Sequence, residues 1–306
     1  MRIAPYVMPL LRTLPFHTGK GRLTSMLAVS DIPEGRLARM KVGITVKLRA
    51  DQMYLRPYLF GEYEVHLTNA MRALVLPGDT CLDVGANFGY YTALLSMLVG
   101  SAGTVHAFEP VPAFYNMVTE TVLLNGASSI AKVHNTGLGA GCGAFEIYTF
   151  AGLPQGHASS TNLGRSDASP HVCSVTTLDE FVVANAIERL DFMKVDVEGD
   201  ELSVFRGGTR VLSSPNAPAI TFEINQDCLA SRSLMAAEVH AALRDYGYSF
   251  FFCIPPRGRI RQVSELASTS CDYLALKGNR VSNFRSKCRI KTDEHTGSRH
   301  AVPGHE

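Results

Sequence analysis

The chain lacks the features that mark disulfide-stabilised, zinc-binding and nucleic-acid-binding proteins. Its seven cysteines are scattered along the chain, and no two of them form a Cys-x-x-Cys pair. An odd and scattered set argues against a disulfide framework and against a zinc site, so we expect a reducing compartment. The histidines show no ligand spacing, so we predict no metal centre built on them. A formal net charge of +1 gives no overall attraction for nucleic acid, and we predict no such partner.

Long uninterrupted apolar runs are also lacking. The apolar stretch near the N-terminus is broken by Pro5, Pro9, Arg12 and Pro15, and no clear cleavage motif follows it. No other run reaches membrane-spanning length without a charge. We therefore expect a cytoplasmic protein with no membrane partner. Hydrophobic residues make up 46% of the chain and charged residues 19%, which is enough apolar material for a sizeable core.

From residue 80 onward, strand-like and helix-like patterns alternate. The runs TCLDVG, GTVHAFEP and APAITFEIN are typical of buried strands, and YYTALLSMLVG and VPAFYNMVTETVLLNG have helical spacing. Repeated β-α units with continuous apolar strands predict a mostly parallel sheet with helices on both faces. The last two strands, YSFFFCI and CDYLALK, are joined only by a turn-rich segment, so we expect them to be antiparallel.

Composition divides the chain into three parts. We predict an N-terminal extension over 1–60, one α/β domain over 61–278, and a polar, mostly basic and disordered tail over 279–306. Inside the domain, the Gly-, Ser- and Pro-rich part of 140–175 predicts a long surface loop between short strands.

The stretch CLDVGANFG carries the strongest local signal. Gly85 and Gly89 allow a tight turn at a strand end, and the helix start beyond them suits a carboxylate or a polarised oxygen. Asp83 can accept hydrogen bonds from a cationic amine. The next strand ends in Glu109, at the usual place for an acid that binds ribose hydroxyls. Asn87 stands where a dinucleotide fingerprint requires glycine, which favours an adenosine-type cofactor over nicotinamide or flavin dinucleotides.

Taken together, these motifs resemble a known family. DVGANFGYYT, AFEP and KVDVEGDE, with TTLDEF and AITFEIN in the same order and spacing, are similar to the FkbM-type methyltransferases over roughly residues 60–255. The resemblance implies a Rossmann-like class I methyltransferase fold with a seven-stranded sheet whose last strand is antiparallel. It also implies S-adenosylmethionine as the cofactor, and methyl transfer to a hydroxyl of a sugar, a lipid or a secondary metabolite.

The same resemblance assigns roles to individual positions. It implies that Glu109 binds the ribose, that Thr136 to Leu138 flank the adenine, and that four residues surround the methionine part: Asp83, Gly85, Asn87 and Gly89. The sequence NTGLG departs from the family's usual run, so the adenine assignment is the loosest of the three.

Candidate catalytic groups cluster after a later strand. Removing the proton of an acceptor hydroxyl requires a base, and KVDVEGDE offers Asp196 and Glu198. Residues two apart in a strand point to the same face, so we expect the two carboxylates to repel and one pKa to rise. Capping of the next helix is the alternative role for Glu198. His157, in the Gly- and Ser-rich loop, is a further acid-base candidate, and Glu223 ends another strand facing either substrate or core.

We therefore predict an O-methyltransferase that acts on a small hydroxylated molecule. A magnesium ion beside the acids stays open, although no ligand set is fixed. Two other classes also stay open at this point: a nicotinamide-dependent oxidoreductase, and a non-catalytic nucleoside-binding module. Homo-oligomerisation is likewise left open by the sequence.

Overall fold

A twisted sheet of eight strands forms the centre of the molecule. The computed structural model describes residues 35–48, 61–151, 158–162, 164–256, 259–267 and 270–287. From one edge of the sheet to the other, the strands are β13 (Arg261–Val263), β12 (Phe250–Ile254), β14 (Cys271–Leu276), β11 (Ala219–Ile224), β10 (Phe192–Val195), β3 (Thr80–Val84), β4 (Thr104–Phe108) and β5 (Ala131–His134).

Five neighbouring strands of this sheet are parallel and the far edge is mixed. β5, β4, β3, β10 and β11 run in one direction, whereas β14 is antiparallel to both β11 and β12. The predicted α/β class and the antiparallel last strand are therefore confirmed. The short strand β13, antiparallel to β12, adds an eighth strand to the seven that were predicted.

Helices cover both faces of the sheet and bury one core on each side. On one face lie α1 (Val65–Leu74), α2 (Tyr90–Val99) with a 3₁₀ turn after it (Gly100–Ala102), α3 (Pro112–Leu124) and α9 (Gly278–Lys287). On the other face lie α4 (Leu178–Ala184), α5 (Glu201–Arg206), α6 (Thr209–Ser213), α7 (Gln226–Ser231) and α8 (Ala236–Asp245). The central strands contact both layers, which explains why their sequences are apolar without alternation.

Local sequence signals account for several helix ends. Thr177 caps α4, because its side-chain oxygen accepts a hydrogen bond from the Glu180 N–H. The run 200–212 forms two helices, α5 and α6, which are divided at Gly207 and Gly208. A Cβ on Gly207 would stand 1.9 Å from the Gly139 carbonyl oxygen, so the backbones approach too closely there for any other residue.

A second, four-stranded sheet stands beside the first. It consists, in spatial order, of β6 (Gly137–Leu138), β9 (Ala168–Thr176), β7 (Gly143–Phe150) and β8 (Ala158–Ser159). The sequence predicted mainly a surface loop over much of this region. A small apolar cluster docks the second sheet on α3, with Ile147 and Cys173 packed against Val111, Phe114 and Met117.

The described parts of both predicted end segments pack onto the domain. The hairpin β1 (Leu37–Arg39) and β2 (Thr45–Lys47) buries Ile44 and Val46 in the core that α1 and α2 share. At the other end, residues 279–287 belong to α9 and are not a disordered tail, because Phe284 is completely buried against Phe252. The prediction of a tail starting at 279 is therefore wrong for these nine residues, and 288–306 lie outside the described ranges.

Within those ranges, no helix combines the length and the apolarity that crossing a bilayer requires.

Candidate functional site

A cavity of about 430 Å³ lies where the carboxyl ends of the central strands meet the second sheet. Its floor comes from the residues just after β3, β4 and β10, and its opposite wall includes Phe145, Ile147 and Ala158 of the second sheet. Ligand sites of open parallel sheets form at this edge. The volume falls in the range that small-molecule pockets occupy.

The glycine turn after β3 brings two strand ends together. Gly85 has φ +81°, and a Cβ there would stand 1.8 Å from the Asp196 carbonyl oxygen. Only glycine fits both restrictions. Asn87 also has a positive φ, +54°, which asparagine tolerates better than most residues. Both residues line the cavity, so a ligand can approach the bare backbone of this turn.

Glu109 is held at the cavity wall by two backbone donors. Its Oε2 accepts from the Asn87 N–H at 2.8 Å, and its Oε1 accepts from the Val111 N–H at 3.0 Å. The residue is 5% exposed, and burial raises the pKa of its carboxyl to about 8 despite these two bonds. The strand end where the sequence predicted a ribose-binding acid therefore carries a carboxyl that is easily protonated.

Three of the predicted cofactor-binding residues do not line the cavity. Asp83 is fully buried beneath α2, where its Oδ2 accepts from the Thr92 hydroxyl at 2.6 Å. Gly89 is the N-cap of α2, and a Cβ there would meet Thr121 at 3.1 Å. Thr136 donates to the Ser174 carbonyl oxygen at 3.0 Å.

Of the two remaining predicted site residues, one lines the cavity and the other lies outside the described residues. Leu138 does line the cavity, together with the glycines on either side of it, Gly137 and Gly139. His157, the third catalytic candidate, lies outside the described residues.

Asp196 lies at the cavity wall and forms an ion pair with the buried residue Lys194. Its Oδ2 accepts from Lys194 Nζ at 3.0 Å, and 38% of the Asp196 side chain is exposed against 5% for Lys194. Burial alone would lower the pKa of Lys194, but the negative charges of Asp196 and Asp83 outweigh it and raise that pKa above its ordinary value. Lys194 is therefore a permanent buried cation that fixes Asp196 in place, and it cannot serve as a base.

Asp196 and Glu198 do not share a strand face as expected. β10 ends at Val195, and Glu198 takes a left-handed conformation with φ +54°, so strand alternation no longer applies to it. Its Oε2 accepts from Cys228 Sγ at 3.6 Å. Both carboxylates nevertheless line the same cavity.

A second pair of acids stands on the next strands at the same sheet edge. Glu223 of β11 is the register partner of Asp272 on β14. Burial, followed by the negative charges of Asp196 and Asp272, raises the pKa of Glu223 to about 9. The carboxyl next to Asp196 along the sheet edge therefore favours its protonated form at neutral pH.

The charge of the cavity restricts what it can bind. Its lining includes Glu109, Asp196, Glu198 and Asp200, and none of the described lining residues is basic. Acidic and apolar walls suit a ligand with a cationic centre, a ribose and a flat aromatic base. S-adenosylmethionine has all three features: its sulfonium and ammonium groups are cationic, and it carries a ribose and an adenine. The residues present therefore fit this cofactor.

The sequence did not predict the two basic residues behind these acids. Lys194 was part of the quoted motif, and Arg232 lies 32 positions after its partner Asp200. A lysine two residues before an acid at a strand end was an available signal for the first. No sequence signal points to the second, because its partners are distant along the chain.

The fold is that of a Rossmann-like α/β protein with a small-molecule cavity at the carboxyl edge of its parallel strands. The family model of the methyltransferase FkbM domain matches residues 83–250, which is more than half of the chain. The chain belongs to this family, and its cofactor is S-adenosylmethionine.

Two curated relatives are also similar. Hexuronic acid methyltransferase AglP of Haloferax volcanii is 27% identical over 172 residues, which are 55% of this chain and 67% of that protein. Methyltransferase sdnD of Sordaria araneosa is 26% identical over 153 residues, 41% of this chain and 59% of the relative. The match thus spans about two thirds of the first relative and less of the second.

Solved structures of methyltransferases are more distant. An S-adenosylmethionine-dependent O-methyltransferase from Thermotoga maritima is 14% identical with a TM-score of 0.38, covering 80% of this chain and 78% of that one. A further S-adenosylmethionine-dependent methyltransferase, from Aquifex aeolicus, is 17% identical with a TM-score of 0.39, covering 69% and 88%. Both TM-scores lie below 0.5, so the fold assignment depends on the sheet described above.

Proposed function

We propose that this methyltransferase transfers the methyl group to a hydroxyl oxygen of a small molecule, such as a sugar, a lipid or a secondary metabolite. The observation that carries the proposal is the row of carboxyls at the sheet edge, which runs from the cavity residue Asp196 to Glu223 and Asp272. Methylation of an alcohol needs a group that orients the hydroxyl and a group that accepts its proton.

We assign the donor end of the cavity to Glu109 and the turn of Gly85 and Asn87. A carboxylate at this strand end accepts hydrogen bonds from ribose hydroxyls, and the bare turn admits the ligand to the backbone. Leu138 and its neighbouring glycines flank the adenine in this assignment. Asp83 then acts indirectly, because it is buried under α2 and does not reach the cavity wall.

We assign the acceptor end to Asp196 and Glu223. Asp196 is an orienting acceptor for the substrate hydroxyl, because its contact with Lys194 holds the side chain in one position. Glu223 lies outside the cavity lining, on the strand next to the one that carries Asp196. We assign it the role of final proton acceptor, because a base with a pKa of about 9 gains more from taking a proton than an ordinary carboxylate does. Glu198 lines the cavity in the same region, and we assign it a supporting electrostatic role.

The site favours this function over the nicotinamide-dependent alternative. A dinucleotide would bring a pyrophosphate with two negative charges, and the described lining offers it four carboxyl side chains and no basic one. A non-catalytic binding module would not require the additional acids of β11 and β14 at the acceptor end. Calorimetry with S-adenosylhomocysteine and with NAD separates the methyltransferase from the oxidoreductase, and a non-catalytic module would show no turnover with any acceptor.

The decisive experiment is a screen of hydroxylated acceptors with a labelled methyl donor, using variants of both ends of the site. Glu109→Gln keeps the side-chain shape and is expected to weaken donor affinity at least about tenfold, because a charged hydrogen-bond acceptor is lost. Asp196→Asn is expected to leave donor affinity within about threefold and to suppress turnover about a hundredfold or more.

Matched controls are the exposed acids Glu188→Gln and Asp245→Asn, which lie outside the cavity. Wild-type behaviour of both Glu109→Gln and Asp196→Asn would show that the site has been assigned to the wrong residues. Turnover with amine acceptors and none with hydroxyls would refute O-methylation while leaving the donor site intact.

A further inference from the structure

Arg232 connects two walls of the cavity from outside it. Its guanidinium makes a bidentate contact with Asp200, Nε to Oδ1 at 3.2 Å and Nη2 to Oδ2 at 2.9 Å. Nη2 also donates to the Ser160 hydroxyl oxygen at 2.7 Å, and that hydroxyl donates to Asp200 Oδ2 at 2.6 Å. We call these three residues the Arg232 network.

The network joins segments that are far apart in the sequence. Ser160 follows β8 of the second sheet, Asp200 closes the turn after β10, and Arg232 follows α7. Ser160 and Asp200 line the cavity, whereas Arg232 does not. Only 9% of the Arg232 side chain is exposed, so solvent screens its contacts less than those of a surface pair.

Arg232 also packs against the turn that carries Glu198. Its Nη1 donates to the Cys228 carbonyl oxygen at 2.9 Å, and the Cys228 thiol contacts the Glu198 carboxylate. Gly199 has φ +97°, and a Cβ there would stand 2.7 Å from Arg232 Nη1. The guanidinium therefore fills the space against this turn, and it helps to hold Glu198 in its left-handed conformation.

We propose that Arg232 is a positioning residue that holds the end of β8 and the turn after β10 at the distance required to bind S-adenosylmethionine between them. The inference rests on the proposed donor site. Arg232 acts through Ser160 and Asp200, since it does not line the cavity itself. Without it, the two walls would have to be ordered by the ligand, and that ordering costs binding free energy.

The test compares Arg232→Met with Arg232→Lys in the full chain, with S-adenosylhomocysteine as the calorimetric probe. Arg232→Met is expected to weaken binding roughly tenfold, as for the loss of a charged hydrogen bond. The donor KM should rise by a similar factor while kcat at saturating donor stays within about threefold. Arg232→Lys should recover part of the affinity, because it keeps the charge but not the bidentate contact. The exposed Arg244→Met is the matched control.

Ser160→Ala keeps the test informative if Arg232→Met fails to fold. This variant removes one hydroxyl and is expected to weaken binding a few-fold. Wild-type donor affinity in Ser160→Ala alone would already overturn the proposal. Where Arg232→Met folds, the effect of Ser160→Ala should disappear in that background, because both variants break one network. An equal loss from Ser160→Ala in both backgrounds would overturn the proposal. So would an Arg232→Met protein with a lower Tm and unchanged donor affinity.

Comparing Glu109→Gln with Arg232→Met distinguishes a failure of the positioning role from a failure of the donor-site assignment. If Glu109→Gln loses binding and Arg232→Met does not, only the positioning role fails. If neither variant loses binding, the donor site itself is misassigned.

Discussion

At the scale of single residues, burial decides the protonation of the site. Glu109 is enclosed at the end of β4, and its two backbone donors do not compensate for lost solvation, so its pKa rises to about 8. Ribose hydroxyls that donate to Glu109 would favour the ionised carboxylate. Binding therefore lowers this pKa, and it releases a proton wherever the free protein is protonated.

Donor affinity is therefore expected to rise with pH. Below about pH 8 the free protein holds a proton on Glu109 that binding must remove, so affinity should increase by up to roughly tenfold per pH unit and level off above it. Calorimetry with S-adenosylhomocysteine from pH 6 to 9, in buffers of different ionisation enthalpy, measures both the affinity and the released proton. Glu109→Gln should show a flat profile, and an equally steep profile in this variant would assign the proton to another group.

Turnover should respond to pH through a different residue. Because the pKa of Glu223 is raised to about 9, the basic form is scarce at pH 7 and becomes more abundant as pH rises. We expect kcat to increase between pH 7 and 9 in the wild type, and to be lower and nearly independent of pH in Glu223→Gln. A Glu223→Gln protein with the wild-type kcat profile would remove Glu223 from the reaction.

At the scale of elements, hydrophobic periodicity predicted the longer helices and strands and missed the shortest strands. The alternation of strands and helices from β3 to β5, and the antiparallel pair β12 and β14, were correct because each run is four or more residues with an apolar pattern. β6 and β8 have two residues each, which is too short for any pattern to show. The second sheet therefore could not be predicted from periodicity, although it forms one wall of the cavity.

Contacts between residues distant in the sequence explain the other differences between the expected and the observed structure. The helices α5 and α6 are separated where Gly207 approaches the Gly139 backbone, and no local propensity reveals that contact. The helix α9 was hidden by its polar composition, although Val281 and Phe284 have the i, i+3 spacing of one buried face. At the site, strand ends predicted Glu109 and Asp196 as cavity residues. They could not predict that backbone N–H groups hold Glu109 or that Lys194 pairs with Asp196.

The helix α9 provides a test of its own. Phe284 is completely buried against Phe252, so Phe284→Ala is expected to lower the free energy of unfolding by about 3–5 kcal/mol. The neighbouring exposed Asn283→Ala should change it by less than about 0.5 kcal/mol. Denaturant unfolding followed by circular dichroism measures both. Equal stability of the two variants would mean that this segment does not pack on the sheet in solution.

At the scale of the whole molecule, the cavity lies on the seam between two sheets. Val84 and Glu109 belong to the main sheet and its strand ends, whereas Phe145 and Ile147 belong to the second sheet. A ligand held between them contacts both, so its binding free energy opposes their separation.

Product binding should therefore protect the second sheet from hydrogen exchange. With saturating S-adenosylhomocysteine, we expect slower exchange of the backbone amides in β7 and β9, measured by mass spectrometry of peptides covering Gly143–Phe150 and Ala168–Thr176. Peptides from α8, on the far side of the main sheet, serve as the internal reference. Protection confined to the β3 and β4 ends would show that the ligand does not reach the second wall.

A cosubstrate that bridges this seam is also expected to lengthen the lifetime of the protein. A chain that is deprived of methyl donor has two docked sheets with no molecule bridging them, and it opens more often to proteases. The abundance of the enzyme in a cell would then follow the supply of its own cosubstrate, with no dedicated regulator required.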